Sequence, residues 1–465
     1  VEALVRRTDL GGATVGVSIL EAGPGEPLVE INADRPLMPA SNMKLVTTGA
    51  ALHVLGPEFR FRTQLVREGD RLIVIGDGDP AFGDPHLLAE MDENGTFDVE
   101  ALLGLWTSAA AESVGGDGGP ISELVVDDRV FDREFVHPTW PRDQLNLRYC
   151  AEVAGLSFHL NVIHFYPECR EGQRPGLDDY EPWANWLSIE NRGTCRRGPK
   201  DRNTGWFARK HETNELTFYG NVKHSYRVPV PVTVHDAPAF FGRLLQDRLE
   251  KAGVDVDRVR LAAPEDPDWR GAEPVAPIIT TPIDTVVARC NRDSQNLYAE
   301  ALLKRIGFQR TGNAGGWSNG GAIIREVVHE RLGHAGMASR LYVADGSGLS
   351  RDNRIAPSTL AAWLNSFHND EQLGGFYIES LALGGENGTL RRRFRDVELH
   401  GAAVQAKSGY IRGVSCLSGY VTAPDGRRVV FSILVNELKA PVSKAKRLQD
   451  RIVAAIAESL AESQP

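Results

Sequence analysis

The stretch "PASNMKLVTTGAAL" (residues 39–52) places Ser41 three positions before Lys44 at the start of a predicted helix. Apolar residues recur at helical spacing over 41–55, and Gly56-Pro57 ends the helix. Residues i and i+3 share one face of a helix, so we expect the Ser41 hydroxyl to lie within hydrogen-bonding distance of the Lys44 amine.

This pair of side chains has the chemistry of a nucleophile and its base. A serine hydroxyl is a poor nucleophile until a neighbouring group takes its proton, and the helix N-terminus favours the negative charge that then develops. Lys44 can act as that base only if burial or a nearby cation lets it lose its own proton. The motif alone leaves another interpretation open, in which Ser41 caps the helix and Lys44 is a surface lysine.

Two further motifs carry compatible chemistry. Ser294 and Asn296 begin an amphipathic helix, where a hydroxyl can relay a proton and a carboxamide can hold a substrate amide. The segment Lys407-Ser408-Gly409 opens a strand, where a lysine and a hydroxyl suit a carboxylate and a glycine leaves room for a substrate backbone. Taken singly, the first is better explained by helix capping, and the second is also typical of a basic edge strand.

Composition restricts the class of protein. A chain of 465 residues is too long for one ordinary core and predicts two or three domains. The formal net charge of -10 argues against nucleic acid or an anionic membrane as the main partner. The sequence has no run of 18 apolar residues, so it predicts no transmembrane segment. Because the chain begins with Val1, we expect a processed protein that acts in the periplasm or elsewhere outside the cytoplasm, with its export signal removed.

The pattern along the chain predicts strands near both termini and a large insertion between them. The expected elements are a hairpin (14–20 with 27–31), strands and turns to about 155, a loop-rich segment (160–227), a helix (237–254), a proline-rich linker (263–277), helices at 284–306, 320–333 and 357–369, a hairpin with Asp425-Gly426 at its tip, and a final helix from about 441. The economical interpretation is one domain assembled from both ends of the chain.

The cysteines and acidic motifs predict no metal site. None of the five cysteines forms a CxxC pair, and Cys169 and Cys195 either form a disulfide or remain free thiols. "HERLGH" (329–334) spaces its histidines one residue too widely for a zinc motif, and "GDGDPAFGD" (76–84) lacks the closing glutamate of a calcium loop. "GWSNG" (316–320) matches a hydrolase nucleophile motif but follows a loop, so we expect the start of a helix there.

The three motifs SxxK, SxN and K[ST]G occur here in the order that is typical of penicillin-binding proteins and class A β-lactamases. With the segments "IGDGDPAF", "VVDDRVFD", "DGSGLSRDNRIAP", "NGTLRRRF" and "VVFSILVNE", the chain resembles the D-alanyl-D-alanine carboxypeptidase/endopeptidase family, the class C low-molecular-mass penicillin-binding proteins. The resemblance extends over nearly the whole chain and is weakest in 160–227.

The resemblance implies a multidomain α+β fold. Its catalytic domain would be transpeptidase-like (serine β-lactamase-like), with helices around an antiparallel sheet, and two mostly β domains, one nested in the other, would be inserted between SxxK and SxN. The implied bounds are 1–57 with 275–465 for the catalytic domain, 58–159 with 228–274 for the inserted domain, and 160–227 for the nested one.

The resemblance also implies a role for each motif residue. Ser41 would form the acyl-enzyme, Lys44 would be its general base, Ser294 would pass a proton to the leaving amine, and Asn296 would bind the substrate amide. Lys407 and Ser408 would hold the terminal carboxylate, and Gly409 would leave room for the substrate backbone. The N–H groups of Ser41 and Tyr410 would form the oxyanion hole. The family more often has threonine at the positions of Ser408 and Tyr410.

In the inserted part, "HPTWPRDQLNLRYCAEV" (137–153) supplies two further candidates. The family places groups that face the active-site cleft here, so Trp140 is a candidate to pack against the aliphatic part of a stem peptide. Asp143 is a candidate to bind a free amino group at the end of the substrate side chain. An equally acceptable interpretation of Asp143 is a solvated loop aspartate.

These features predict a serine D,D-peptidase that cleaves the bond after D-alanine in peptidoglycan stem peptides, without a cofactor, and that β-lactam antibiotics acylate. Two alternatives have the same fold. One is a β-lactamase-like hydrolase, which would need a glutamate-activated water that the sequence does not offer. The other is a non-catalytic cell-wall binding protein, which would usually have lost a motif side chain.

Overall fold

The computed structural model describes residues 1–91, 96–115, 120–170, 172–333 and 339–462, so His334 of the histidine motif lies outside it. The α-helices in these ranges are α1 (Glu2–Arg7), α2 (Met43–Leu55), α3 (Pro85–Glu90), α4 (Val99–Gly115), α5 (Ala237–Lys251), α6 (Ile283–Arg292), α7 (Asn296–Thr311), α8 (Trp317–Leu332), α9 (Pro357–His368), α10 (Gly374–Glu379) and α11 (Val442–Glu462). Short 3-10 turns lie at Ala40–Asn42, Arg142–Gln144, Arg148–Cys150, His159–Asn161 and Gly388–Leu390.

The strands in these ranges are β1 (Thr14–Glu21), β2 (Pro27–Ile31), β3 (Arg60–Glu68), β4 (Arg71–Ile75), β5 (Ile121–Asp127), β6 (Val162–Phe165), β7 (Tyr180–Glu181), β8 (Ile189–Asn191), β9 (Trp206–Arg209), β10 (Leu216–Tyr219), β11 (Val230–Thr233), β12 (Val256–Leu261), β13 (Ile279–Pro282), β14 (Leu341–Tyr342), β15 (Arg354–Ile355), β16 (Ala382–Leu383), β17 (Ala403–Ile411), β18 (Val414–Thr422) and β19 (Arg428–Asn436). The chain divides into two compact units, Val1–Phe59 with Pro282–Pro465 and Arg60–Thr281. The three-domain division stays a prediction.

The first unit is built around a six-stranded antiparallel sheet with the order β16-β17-β18-β19-β1-β2. Strand β1 pairs with β19, which brings the two ends of the chain together in one sheet. Both predicted hairpins are present, and Asp425-Gly426 lies in the turn between β18 and β19.

Helices cover both faces of this sheet. Alternate side chains of β1, β18 and β19 form a buried cluster with the apolar face of α11, as period-2 strands and an amphipathic helix require. Helix α9 contacts β1 and β19, and α2 contacts α6, α7 and α8. Every residue of α2 from Met43 to Leu52 is buried, so the helix that carries Lys44 lies inside this unit.

The predicted helix over 284–306 is wrong in one respect, because the structure divides it into α6 and α7. Ser294 lies in the break with a φ of 62°, a left-handed conformation that a continuous α-helix cannot contain. Asp293 caps the end of α6, and Gln295 precedes the first residue of α7, Asn296. The break removes Ser294 from the helix surface and leaves it in a short turn.

The second unit contains a five-stranded sheet with the order β12-β5-β4-β3-β13, against which α4 and α5 pack. Strands β3, β4 and β5 lie in the part of the chain for which strands and turns are predicted up to about 155. The prediction of strands and turns up to about 155 missed α4. The sequence pattern that indicates α4 is the helical spacing of five apolar residues, all of which are buried: Val99, Leu102, Leu103, Trp106 and Ala110.

The loop-rich segment 160–227 contains short strands that share a small core with residues 230–240. Strands β6 and β7 form a sheet with β11, and β8, β9 and β10 form another. In this core the rings of Phe165 and Phe207 are stacked, and the ring of Phe218 packs against Phe207 at a tilt. Cys169 and Cys195 form a disulfide in this segment, whereas Cys150, Cys290 and Cys416 are free and buried.

Candidate active site

Ser41 lies in the 3-10 turn that leads into α2, and two glycines allow other segments to approach this turn closely. A Cβ on Gly409 of β17 would lie 3.0 Å from the Ser41 nitrogen and 2.9 Å from the Pro39 carbonyl oxygen. On Gly348, whose φ is +82°, a Cβ would lie 1.8 Å from the Ala40 carbonyl oxygen. Only glycine permits both approaches, so strand β17 and the 345–350 segment lie directly against the turn that carries Ser41.

The Lys44 amine lies beneath the Ser41 hydroxyl. Lys44 is fully buried, and its Nζ lies 3.3 Å from Ser41 Oγ. The same Nζ donates to Asn296 Oδ1 at 2.7 Å and to the Ser347 carbonyl oxygen at 2.9 Å. The predicted proximity of the two motif side chains is therefore present, and Asn296 joins the pair although it lies far away in sequence.

The Lys407 amine forms a second buried donor in this site. Lys407 is fully buried, and its Nζ donates to Ser294 Oγ at 2.9 Å and to the Ser408 carbonyl oxygen at 2.9 Å. Ser294 adopts its left-handed conformation at this point, as strained residues at functional sites often do. The three motifs thus supply two sets of hydrogen bonds, one that joins Lys44 to Ser41 and Asn296 and one that joins Lys407 to Ser294.

Burial sets the electrostatics of both lysines. Removal from water lowers the pKa of Lys44, while the negative charges of Cys290, Glu300 and Asp345, when ionised, raise it. Burial and then the charge of Lys44 lower the pKa of Lys407 well below its ordinary value. Both shifts favour the neutral amine, which is the form that can accept a proton.

Several residues around the two lysines were not predicted from the sequence. Burial, followed by the charge of Asp345, raises the pKa of Glu300 to about 7, and burial raises the pKa of Cys290 to about 12. The Asp345 carboxylate accepts hydrogen bonds from the backbone of Gly348 and Ser350 and so shapes the segment beside Ser41. The available signal was the glycine-rich sequence "DGSGLS" (345–350), which is typical of a tight backbone approach.

The predicted substrate-binding residues of β17 lie along one strand. Ser408 is half-buried, Gly409 is buried against the Ser41 turn, and the Tyr410 side chain is 58% exposed. Among the described strands, β16 pairs with β17 only at Gln405 and Ala406, so this edge of β17 continues past Lys407 without a neighbouring strand. Such an edge can pair with an extended peptide.

The two candidates in the second unit differ in exposure. Trp140 is only 3% exposed, which leaves little side-chain surface for a substrate. Asp143 is exposed in the 3-10 turn Arg142–Gln144. The roles of both residues toward a substrate stay predictions.

The "GWSNG" motif has the position in a helix that was expected for it. "GWSNG" (316–320) starts α8, with Gly316 as its N-cap residue. Within the described ranges, no group of three or more His, Cys, Asp or Glu side chains is arranged to hold a metal ion. In the same ranges, no helix has both the length and the apolar character needed to cross a membrane.

Comparison with known proteins decides the family. The profile of the "D-Ala-D-Ala carboxypeptidase 3 (S13) family" matches residues 1–458. The chain belongs to this family. The predicted recognition is confirmed, and the chain is a serine-type D-Ala-D-Ala carboxypeptidase, a hydrolase.

Similar proteins match this chain over almost its full length. A D-alanyl-D-alanine carboxypeptidase of Actinomadura sp. (strain R39) is 30% identical over 488 aligned positions, which cover 100% of this chain and 85% of the relative. The crystal structure of penicillin binding protein 4 from Haemophilus influenzae matches with a TM-score of 0.75 at 19% identity, covering 98% of this chain and 99% of that one. The predicted fold class is thereby confirmed. A second structure of that protein, in complex with a β-lactam, matches with a TM-score of 0.72 at 20% identity, covering 98% and 99%.

Proposed function

We propose that Ser41 is the nucleophile of this peptidase and that Lys44 is its general base. The supporting observation is the fully buried Lys44 amine, whose Nζ lies 3.3 Å from Ser41 Oγ. A neutral amine at this position can take the hydroxyl proton as the oxygen attacks the carbonyl carbon of the penultimate D-alanine. The N–H groups of Ser41 and Tyr410 would stabilise the resulting oxyanion.

Collapse of the tetrahedral intermediate breaks the carbon–nitrogen bond and leaves an ester on Ser41. The departing amine needs a proton, and Ser294, which accepts a hydrogen bond from Lys407 at 2.9 Å, would donate its hydroxyl proton and receive in return the proton that Lys44 took from Ser41, so that Lys44 becomes neutral again. Water then attacks the ester, the neutral Lys44 takes a proton from that water, and it returns this proton to the Ser41 oxygen as the ester bond breaks, which regenerates the hydroxyl and releases the shortened peptide as an acid. Asn296 would orient the substrate amide, and Lys407 with Ser408 would hold its terminal carboxylate.

The substrate we propose is a peptidoglycan stem peptide, and β-lactams would acylate the same serine. The β-lactam complex of penicillin binding protein 4 from Haemophilus influenzae and the presence of the SxxK, SxN and K[ST]G side chains in this chain support this assignment. The reaction would take place outside the cytoplasm, in the periplasm or a similar compartment. The Cys169–Cys195 disulfide is consistent with such an oxidising location.

Intact-mass analysis after incubation with benzylpenicillin tests the assignment. We expect one covalent adduct on the wild-type protein and none on Ser41→Ala, because the mutant lacks the attacking oxygen. Labelling that persists in Ser41→Ala would contradict the role of Ser41. The lifetime of the adduct separates the alternatives, since a β-lactamase-like hydrolase would lose it quickly and a penicillin-sensitive peptidase would retain it.

A further inference from the structure

Glu300 is a buried carboxylate one helical turn after Asn296 on α7. The two residues are four positions apart and therefore lie on one face of the helix. Glu300 is fully buried, and a charge removed from water is costly unless it is hydrogen-bonded. Its Oε1 accepts from the Ser347 N–H at 2.8 Å, and its Oε2 accepts from the Gly346 N–H and from Trp317 Nε1, both at 2.9 Å.

The backbone that Glu300 holds is the same backbone that contacts Lys44. The Ser347 carbonyl oxygen accepts from Lys44 Nζ at 2.9 Å, and the Gly346 carbonyl oxygen accepts from Thr47 Oγ1 at 2.8 Å. The Gly346-Ser347 segment is thus held between α7 and α2, with N–H groups toward Glu300 and carbonyl groups toward α2. A carbonyl anchored in this way fixes the direction of the amine that donates to it.

Ionisable groups lie near Lys44 on several neighbouring elements. Cys290 on α6, Asp345 beside the held segment and Lys407 on β17 accompany Glu300. The carboxylate of Glu300 opposes the effect of burial by raising the pKa of Lys44. Asp345 is in turn the charged neighbour that acts on Glu300. Loss of the Glu300 charge therefore makes the neutral form of Lys44 available at lower pH.

We propose that Glu300 is a positioning residue for the general base, because its carboxylate holds the Gly346-Ser347 backbone whose carbonyl orients the Lys44 amine toward Ser41. The proposal rests on the proposed role of Lys44 and extends it. Glu300 contacts no reacting atom and acts through Ser347. Asn296 holds the same amine directly from the preceding turn of α7.

The test measures the rate of acylation by benzylpenicillin across a range of pH for wild type, Glu300→Gln and Glu326→Gln. Glutamine keeps the side-chain length but loses the charge and one acceptor. We expect acylation by Glu300→Gln to be about 10- to 100-fold slower at its optimum. We also expect its acid limb to move to lower pH in the range above about pH 7, where Glu300 is ionised in the wild type, because the charge that raises the pKa of Lys44 is gone. Glu326 is exposed on α8, so Glu326→Gln should behave as wild type.

A rate for Glu300→Gln within threefold of wild type would overturn the proposal, and so would a slower rate with an unmoved acid limb. If Glu300→Gln fails to fold, the same rates are measured for Glu300→Asp instead. It keeps the charge but shortens the reach to the Gly346 and Ser347 N–H groups, so we expect slower acylation with an unmoved acid limb. A wild-type rate in Glu300→Asp would then overturn the proposal. Labelling of Ser41→Ala would instead refute the proposed function, whatever the Glu300 variants do.

Discussion

The surroundings of Lys44 and Lys407 differ, although both amines are fully buried in the same unit. Lys44 lies near groups that can carry negative charge, namely Cys290, Glu300 and Asp345, which counteract the effect of burial on its pKa. The strongest charged neighbour of Lys407 is Lys44, whose positive charge adds to the effect of burial. The two amines are therefore equally buried but differ in the neighbouring charges that act on their pKa values.

The difference is consistent with the different roles that we propose for the two lysines. Lys44 contacts Ser41 Oγ and is held by an amide and a carbonyl oxygen, as a base that must exchange protons requires. Lys407 contacts a hydroxyl and a carbonyl oxygen. In the free protein Lys407 is desolvated and neutral. An anion that binds beside it stabilises its protonated form, so Lys407 would take up a proton when an anionic substrate binds.

The largest effect should follow from Lys44→Arg. Arginine keeps the positive charge but cannot deprotonate, so acylation should slow by about 10²- to 10⁴-fold. Time-resolved intact mass with benzylpenicillin measures the rate, and Lys446→Arg, at an exposed position on α11, is the matched control. A near-normal rate in Lys44→Arg would remove Lys44 from the role of base and make the two lysines equivalent.

A smaller effect should appear in the pH dependence of carboxylate binding at Lys407. Because the pKa of Lys407 is lowered in the free protein and a bound carboxylate raises it, binding takes up a proton and tightens as the pH falls. With Ser41→Ala, which cannot be acylated, affinity for a D-Ala-D-Ala peptide should weaken by up to about tenfold for each pH unit above the lowered pKa. Isothermal titration calorimetry in buffers of different ionisation enthalpy measures both affinity and proton uptake.

The methyl ester of the same peptide is the control for this measurement. It lacks the charged carboxylate, so its binding should take up no proton at Lys407. Equal pH dependence for the acid and the ester would show that Lys407 does not recognise the carboxylate.

The smallest effect should come from Asp143, which is exposed rather than buried. If Asp143 binds the free amine of a stem-peptide side chain, solvent screening limits the preference for that amine to about two- to fivefold. Turnover of D-Ala-D-Ala peptides with the side-chain amine free or acetylated, by wild type and Asp143→Asn, measures this preference. The same preference in both enzymes would show that Asp143 does not recognise the amine.

Local patterns predicted much of the fold. The hairpins, the helix over 41–55 and the final helix follow from apolar periodicity and from turn residues such as Asp425-Gly426. The break at Ser294 could not be predicted in this way. Its left-handed backbone has no signature in the local sequence, and contacts such as the hydrogen bond from Lys407 hold it in place.

The sequence by itself determined the family, the identity of the three motifs and the proximity of Ser41 to Lys44, because helix geometry relates positions i and i+3. Only the tertiary structure decided that both lysines are buried, that Asn296 and Ser347 hold Lys44, and that Glu300 holds Ser347. These contacts join residues from distant parts of the chain. Burial and charge proximity, which set the pKa of each amine, are properties of that packed arrangement and not of any single motif.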